Sequence, residues 1–145
     1  MEEAAARTIL VVDDNDVNRA LLLRQLERLG YEGAAVDSAV QALEAVAATP
    51  YAVVLMDCRM PGMDGMEATR RIREAEAGSG QRVPIVAVTA NAMEADRAAC
   101  FDAGMDDFLT KPVMMESLRA VLARFVLGVR EETEPTPASS TPATG

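Results

Sequence analysis

The sequence predicts a doubly wound α/β domain built on a five-stranded parallel sheet with the strand order 2-1-3-4-5. Three observations lead to this prediction. Five short apolar segments recur along the 145 residues, each is followed by a segment with helical spacing of apolar residues, and the apolar segments lack polar alternation. Strands without alternation are typical of a sheet that helices cover on both faces. Right-handed crossovers then favour this strand order.

The predicted strands take their bounds from the apolar segments. They are residues 8–12, 31–36, 52–56, 83–88 and 106–110. The first and third are the most strongly apolar, with the sequences TILVV and AVVLM. The fourth contains Pro84, which is tolerated only near the start of a strand or at an edge.

The first predicted helix begins and ends at residues that suit helix caps. Asp16 is expected to cap it, and Gly30 is expected to follow its last turn. The apolar positions with helical spacing, which predict the side that faces the sheet, are Val17, Leu21, Leu22, Leu26 and Leu29. For Leu22 the sequence leaves two places open, the core and an exposed position available to a partner.

The four later helices are delimited in the same way. Ser38 is expected to cap the second, and the third follows a turn-rich loop at residues 60–65. The fourth, around residues 93–102, ends at Gly104, and the last spans residues 113–127. Three arginines of the third helix are expected on a solvated face: Arg70, Arg71 and Arg73.

Composition excludes several classes of function. Fourteen basic and 23 acidic residues give a net charge of −9, which argues against nucleic-acid binding through a basic face. The absence of histidine excludes histidine-based catalysis and nearly all zinc sites. No apolar run approaches the ~20 residues that cross a bilayer, and the acidic N-terminus is unlike a secretory signal. We therefore expect a cytoplasmic protein without membrane contact, in which Cys58 and Cys100 are reduced, buried side chains without a redox role.

The chain is expected to contain one folded domain. The domain occupies residues 7–128, between a disordered extension at 1–6 and a disordered tail at 129–145 that is rich in Pro, Thr, Ser and Glu. The sequence leaves open whether the domain is a stand-alone protein or is excised from a larger one.

Polar side chains follow the predicted strands at their carboxyl ends, where ligands bind in such sheets. In strand order they are Asp13, Asp14, Asp57, Thr89 and Lys111. Because the first and third strands are neighbours, the three carboxylates converge, and their repulsion in a partly desolvated cleft calls for a counter-ion. Oxygen ligands select a hard cation, commonly Mg²⁺. Lys111 is the only lysine among 14 cations, which favours a site that needs a compact ammonium.

Four segments together carry a resemblance to a known family. They are VVDDN at residues 11–15, LMDCRMPGMDG at 55–65, VTANA at 88–92 and AGMDDFLTKP at 103–112. In this order and spacing, over about residues 7–127, they resemble the receiver domain of two-component response regulators, which has a flavodoxin-like fold. The residues after the first and third strands resemble in particular the receivers of hybrid histidine kinases and multistep phosphorelays.

The resemblance implies a role for each strand-end residue. Asp57 is then the phospho-acceptor, which attacks a phosphohistidine and forms an aspartyl phosphate. Asp14, Asp57 and the backbone carbonyl of Arg59 then hold Mg²⁺ (or Mn²⁺), with Asp13 acting through water. The ammonium of Lys111 contacts a phosphoryl oxygen, and the hydroxyl of Thr89 donates a hydrogen bond to the phosphoryl group.

The resemblance also implies a switch and a class of partner. Phe108 is the switch aromatic, which with Thr89 reshapes the face formed by the fourth helix, the fifth strand and the fifth helix. Pro112 follows a cis peptide that orients Lys111. The expected donor is a sensor histidine kinase, a histidine-phosphotransfer protein or both. We expect it to dock on Asn15, Asn18, Arg19, Leu22, Val113, Met114 and Met115.

Three alternatives stand beside this interpretation. A phosphatase of the haloacid-dehalogenase type needs its nucleophile after the first strand and a second Asp two residues on, whereas Asp57 follows the third strand and Arg59 occupies that position. A flavin- or nucleotide-binding module needs a Gly- or Ser/Thr-rich loop after the first strand, where this chain has two aspartates. A degenerate receiver kept only for protein contacts is disfavoured because the signature positions are filled.

The function expected from the sequence is therefore a signalling switch. It is not a turnover enzyme, since it catalyses only its own phosphorylation and dephosphorylation. We expect it to be a monomer or a weak, phosphorylation-dependent dimer.

Overall fold

The computed structural model describes residues 8–90 and 94–127 as five β-strands and five α-helices in strict alternation. The strands are β1 (Thr8–Val12), β2 (Glu32–Val36), β3 (Val53–Asp57), β4 (Ile85–Thr89) and β5 (Asp107–Thr110). The helices are α1 (Asp16–Arg28), α2 (Ala39–Ala48), α3 (Gly65–Glu76), α4 (Glu94–Ala103) and α5 (Met115–Leu122), and a π-helical turn, Ala123–Leu127, follows α5. The predicted disordered segments, 1–6 and 129–145, lie outside the described residues.

The strands form one parallel sheet in the order β2-β1-β3-β4-β5, as the sequence predicts. Every residue of β3 and β4 is buried. Side chains of α1 and α5 pack on one face of the sheet, and side chains of α2, α3 and α4 pack on the other. This double cover buries the central strands and leaves the carboxyl ends of the strands as the accessible edge of the sheet.

Two strands end one residue later than predicted. β3 includes Asp57 and β4 includes Thr89, so both residues are the last members of buried strands rather than the first residues of loops. Their backbones are therefore fixed by the sheet. Pro84 lies just before β4, where its missing N–H removes no hydrogen bond from the sheet.

The N-terminus of α1 differs from the prediction. Asn15, not Asp16, is the N-cap, and its side chain accepts a hydrogen bond from the N–H of Asn18 at 3.0 Å. Asp16 is instead the first helical residue, where its charge interacts favourably with the positive end of the helix dipole. Gly30 has a φ of 91° just beyond the helix, and Ser38 caps α2, as predicted.

The buried side of α1 is narrower than the spacing of apolar residues predicts. Leu22 and Leu26 are buried against the sheet, with exposures of 4% and 0%. Val17 and Leu21, which the sequence assigns to the core, are 69% and 48% exposed. A helix turns by about 100° per residue, so only one stripe of it can face the sheet.

The last helix is shorter than predicted. Regular α-helix starts at Met115 rather than at residue 113 and ends at Leu122, with the π-helical turn beyond it. Its N-cap, Met114, has extended backbone and makes no side-chain capping hydrogen bond. In the described part of the chain, none of the helices has the length and hydropathy that crossing a membrane requires.

Arg73 ties α3 to the turn between α4 and β5. Arg70 and Arg71 are exposed, as predicted, but the side chain of Arg73 is only 14% exposed, so the prediction of a solvated position is wrong for it. Its guanidinium donates to the carbonyl oxygen of Gly104 at 2.9 Å and pairs with Asp106 at 2.9 Å. The five N–H donors of an arginine suit this role, because one side chain then ties α3 to the turn between α4 and β5.

Candidate functional site

The predicted site residues meet at the carboxyl edge of the sheet. Asp13 follows β1, Asp57 ends β3, Thr89 ends β4 and Lys111 follows β5. The backbone N–H of Lys111 donates to the Thr89 carbonyl oxygen at 2.7 Å, which ties the residue after β5 to the end of β4. Parallel pairing thus brings together residues that are far apart in the chain.

Asp13, Asp14 and Asp57 form a carboxylate cluster. One oxygen from each lies within 4.8 Å of the oxygens from the other two. Asp13 and Asp57 are 1% and 3% exposed, whereas Asp14 is exposed. Negative charges at this separation, two of them largely removed from water, repel one another strongly.

Lys111 supplies one positive charge to this cluster. Its Nζ lies 3.4 Å from Asp57 Oδ1 and 3.5 Å from Asp13 Oδ2. The Lys111–Pro112 peptide bond is cis, as the resemblance implies. One ammonium faces three carboxylates, so the cluster retains an excess of negative charge.

The pKa of Asp57 reflects this environment. Burial raises the pKa of its carboxyl from 3.8 to about 6, and repulsion by Asp13 adds to the rise. The hydrogen bond from the Arg59 N–H and the charge of Lys111 oppose it without cancelling it. At neutral pH the Asp57 carboxylate is therefore ionised in surroundings that disfavour its charge.

The donor set of the cluster fits a hard cation. Oδ2 of Asp13 is fully buried, and none of the residues that the structure describes forms a hydrogen bond with it. The distance of 3.5 Å to Lys111 is an ion-pair contact only. An orphaned, buried carboxylate oxygen is costly, and a divalent cation bound by oxygen ligands is the group that relieves such a cost.

The loop that carries Asp13 and Asp14 is held from the side of α1. The N–H of Asn15 donates to Asp13 Oδ1 at 2.9 Å, and the guanidinium of Arg19 donates to the Asp13 carbonyl oxygen at 2.8 Å. Arg19, a predicted docking residue, is half-buried and braces the site loop through this bond. This bracing role could not be predicted from the sequence.

Asp57 is positioned by the start of α3. A Cβ at Gly65 would lie 2.3 Å from the Asp57 carbonyl oxygen, so only glycine allows the helix to approach the strand this closely. The N–H of Gly65 donates to the Cys58 carbonyl oxygen at 3.1 Å. The N–H of Arg59 donates to Asp57 Oδ1 at 3.2 Å, which places the Arg59 backbone beside the carboxylate.

Phe108 and Thr89 share one face of the sheet. Phe108 pairs with Ala87 and Thr110 pairs with Thr89, so strand alternation points the side chains of Phe108 and Thr89 to the same side. Helix α4 packs on this side. Phe108 is half-buried, and the guanidinium carbon of Arg97 lies 4.6 Å from the centroid of its ring.

One of the predicted docking residues is in the core. Leu22 is 4% exposed, so its prediction as a docking residue is wrong, because it packs with Leu26 against the sheet. Two apolar residues that the sequence assigned to the core, Val17 and Leu21, are exposed on α1 instead. The other predicted residues of the loop and helix start are exposed or half-exposed: Asn15, Asn18, Val113, Met114 and Met115.

A cavity of about 270 Å³ connects this surface with the carboxylate cluster. Asp13 and Lys111 line one end of it, and Leu21 and Val113 line its walls. The side-chain amide of Gln25 donates to the Val113 carbonyl oxygen at 2.9 Å, so α1 and the segment after β5 are tied together. This cross-link could not be predicted from the sequence, because its partners are far apart in the chain.

The two cysteines lie side by side behind Asp57. Both are buried and free, and their Sγ atoms are 3.4 Å apart. Burial raises the pKa of the Cys58 thiol well above its ordinary value, so the thiol stays protonated. The predicted burial is confirmed, but their contact was not predicted.

Comparison with known families supports the same assignment. The response regulator receiver domain family matches residues 9–123 of this chain.

Curated relatives match over most of this chain but over a small part of their own length. The hybrid signal transduction protein dokA of Dictyostelium discoideum is 43% identical over 118 residues, which are 81% of this chain and 7% of dokA. The sensor histidine kinase GacS of Pseudomonas protegens is 40% identical over 141 residues, which are 97% of this chain and 15% of GacS. The chain therefore spans only a small fraction of the relatives that it matches.

Solved structures share the fold. The receiver domain of the sensor histidine kinase PA1611 from Pseudomonas aeruginosa, with a magnesium ion coordinated in its active site cleft, is 43% identical with a TM-score of 0.75, covering 83% of this chain and 97% of that one. A complex from Saccharomyces cerevisiae joins the histidine phosphotransfer protein Ypd1 to the receiver domain of Ssk1. The matched chain of this complex is 27% identical to the present chain with a TM-score of 0.76, and the match covers 83% of this chain and 88% of that one. With its sheet order, its carboxylate cluster and this match over residues 9–123, the chain belongs to the response regulator receiver domain family.

Proposed function

We propose that this domain accepts a phosphoryl group from a phosphohistidine onto Asp57, in a reaction that depends on Mg²⁺. One observation carries the proposal: a single ammonium, that of Lys111, faces the buried carboxylates of Asp57 and Asp13 at 3.4 and 3.5 Å, beside the exposed Asp14. This arrangement supplies a carboxylate nucleophile, an ammonium that can contact a phosphoryl oxygen, and an excess of negative charge that a cation would offset. Those are the requirements of metal-assisted phosphoryl transfer.

The residues for the cation come from two strand ends. Asp14, Asp57 and the backbone carbonyl of Arg59 would hold Mg²⁺, or Mn²⁺ with the same preference for oxygen, and Asp13 would act through water. Bound there, the cation would offset charge on the carboxylate and on the phosphoryl oxygens. The buried, orphaned Oδ2 of Asp13 supports this assignment, and so does the magnesium-containing PA1611 receiver domain.

Each remaining residue has one part in the transfer. A carboxylate oxygen of Asp57 attacks phosphorus, so that an O–P bond forms as the N–P bond to the donor imidazole breaks. The ammonium of Lys111 contacts a phosphoryl oxygen as a point charge. The hydroxyl of Thr89, at the end of the neighbouring strand, donates a hydrogen bond to another phosphoryl oxygen. That new bond draws Thr89 and then Phe108, which lies on the same face, and so alters the face made by α4, β5 and α5.

In this account the domain is a signalling switch and not a turnover enzyme. It acts only on its own Asp57, and its product is a phosphorylated protein that other proteins read. The position of Asp57 at the end of β3, with aspartates rather than a phosphate-binding loop after β1, supports this over the phosphatase and nucleotide-binding alternatives.

The donor is proposed to dock over α1 and the segment after β5. Val17, Leu21 and Met114 are 69%, 48% and 62% exposed, so three of the large apolar side chains that the described residues expose belong to α1 and the segment after β5. Asn18 and the cavity beside Leu21 lead from this surface to Lys111. The complex of Ypd1 with a receiver domain supports a histidine-phosphotransfer protein as the partner, and the relatives that are sensor histidine kinases support a kinase as the alternative donor. We place the domain in the cytoplasm, as a monomer or a weak dimer when phosphorylated.

The test of phosphoryl acceptance is intact-mass measurement after incubation with acetyl phosphate. We expect one added phosphoryl group with Mg²⁺ and none with a chelator, because the Asp57 carboxylate cannot approach a phosphoryl group while the cluster remains uncompensated. Asp57→Asn should abolish the addition. As a matched control, Asp16→Asn removes a nearby acid outside the cluster and should label like the wild type. Stoichiometric labelling of Asp57→Asn would contradict the assignment of the acceptor.

The raised pKa of Asp57 predicts a stability difference that depends on pH. The folded carboxyl has a pKa of about 6 and the unfolded one about 3.8, so the folded state binds more protons between these values and loses stability as pH rises. Asp57→Asn removes the ionised carboxylate and should stabilise the domain by about 1–3 kcal/mol at pH 7.5 without Mg²⁺. Urea unfolding should show a much smaller gain at pH 4.5. An equal gain at the two pH values would contradict the burial of an ionised Asp57.

Substitution of the exposed apolar residues tests the docking surface. Leu21→Asp with Met114→Asp should slow transfer from a histidine-phosphotransfer partner by about tenfold or more, because charges would replace apolar anchors. Labelling by acetyl phosphate should stay the same, because the carboxylate cluster is untouched.

Val40→Asp is the matched control for these substitutions. Val40 is a 55% exposed valine on α2, away from the surface over α1, and its substitution should not change either assay. Equal loss in both assays for the double variant would show damage to the site. Unchanged partner transfer would place docking elsewhere.

A further inference from the structure

The contact between Arg97 and Phe108 has no part in the transfer itself. Arg97 is an exposed residue of α4, one turn before the buried Cys100. Its guanidinium carbon is 4.6 Å from the centroid of the Phe108 ring on β5. The contact therefore joins the helix and the strand whose shared face is expected to change on phosphorylation.

The surroundings of the ring are unequal on its two sides. In the sheet, the neighbour of Phe108 in register is Ala87, whose single methyl group offers little area to hold a ring. Thr89 follows two residues later on the same face. The ring is also packed against the apolar cluster on this face of the sheet, and the guanidinium of Arg97 lies over it.

The physical effect of this contact is attractive and modest. The face of an aromatic ring is negative, so a cation above it is stabilised, and a solvated guanidinium keeps most of its hydration while it stacks. A contact of this kind at an exposed site shifts a two-state equilibrium by about two- to fivefold. A shift of this size does not confine the ring to one position, but it changes the ratio of the two positions.

We propose that Arg97 is a positioning residue for the switch: it stabilises the present position of the Phe108 ring against movement toward Thr89. The inference rests on the proposed function, in which phosphorylation of Asp57 moves Phe108. Helix α4 carries Arg97, so a shift of α4 and a shift of the ring each weaken the contact, and the two movements become coupled through it.

The experiment measures the ring of Phe108 directly. The protein is labelled with fluorophenylalanine and studied by ¹⁹F NMR, alone and with Mg²⁺ and beryllium fluoride as a phosphoryl mimic. The three phenylalanine signals are assigned with Phe101→Leu and Phe125→Leu. Arg97→Met keeps an unbranched, flexible side chain and removes the charge and the guanidinium, and Arg97→Lys keeps a charge without the planar group. Arg70→Met, an exposed arginine on α3, is the matched control.

Without the mimic, Arg97→Met should raise the fraction of Phe108 rings in the position that the mimic favours by about two- to fivefold. It should also lower the concentration of beryllium fluoride at which half of the rings have moved. Arg97→Lys should fall between Arg97→Met and the wild type, and Arg70→Met should match the wild type. A merely structural contact would not give this graded dependence on charge. A change of less than about 1.5-fold in Arg97→Met, or an Arg97→Lys variant that behaves like Arg97→Met, would overturn the inference.

Intact-mass labelling of Asp57 in the same samples separates the two levels of the account. In one outcome, Asp57 is phosphorylated and the wild-type Phe108 ring responds to the mimic, but Arg97→Met leaves the ratio of the two ring positions unchanged. That outcome refutes the role of Arg97 and leaves the proposed function intact. If the wild-type ring does not respond to the mimic although Asp57 labels, the coupling to Phe108 fails and the role of Arg97 fails with it.

Discussion

The repulsion among three carboxylates at the ends of β1 and β3 is the constraint on which the rest of this structure depends. Asp13 and Asp57 are nearly inaccessible to water, and Asp14 stands beside them at the surface. One lysine cannot balance them. Burial, with repulsion by Asp13, raises the pKa of Asp57, and Oδ2 of Asp13 is buried without a hydrogen bond among the described residues. A domain of this size has only a few kcal/mol of net stability, so such a cluster persists only where the fold holds it and a ligand relieves it.

The fold holds the cluster through backbone rather than through side chains. Asp57 is the last residue of a strand that is buried along its whole length, and the start of α3 approaches it so closely that Gly65 is required. Lys111 is tied to β4 by its own N–H. The sheet therefore fixes the backbones that carry Asp57 and Lys111 close together, which keeps the site ready for a cation and a phosphoryl group at the cost of some stability.

The features that follow from strand order could be predicted from the sequence. The contacts that depend on how helices pack on the sheet could not. Five apolar segments and right-handed crossovers were enough to bring the strand ends together, because the parallel sheet leaves little choice. They were not enough for α1, where Leu21 and Leu22 both fit a helical repeat and only contact with the sheet selects Leu22. Arg73 and the pair Cys58 and Cys100 show the same limit, since their partners lie on other elements of the chain.

The central claim is that the carboxylate cluster is a cation site, and a Mg²⁺ titration followed by amide NMR tests it most directly. We expect one saturable site, with chemical-shift changes centred on the amides of Asp13, Asp57 and Lys111. We expect these changes to be absent from the double variant that combines Asp13→Asn and Asp57→Asn. We also expect that saturation raises the unfolding temperature of the wild type and not that of the double variant. Weak, unsaturable shifts spread over the acidic surface and equal in both proteins would contradict the claim.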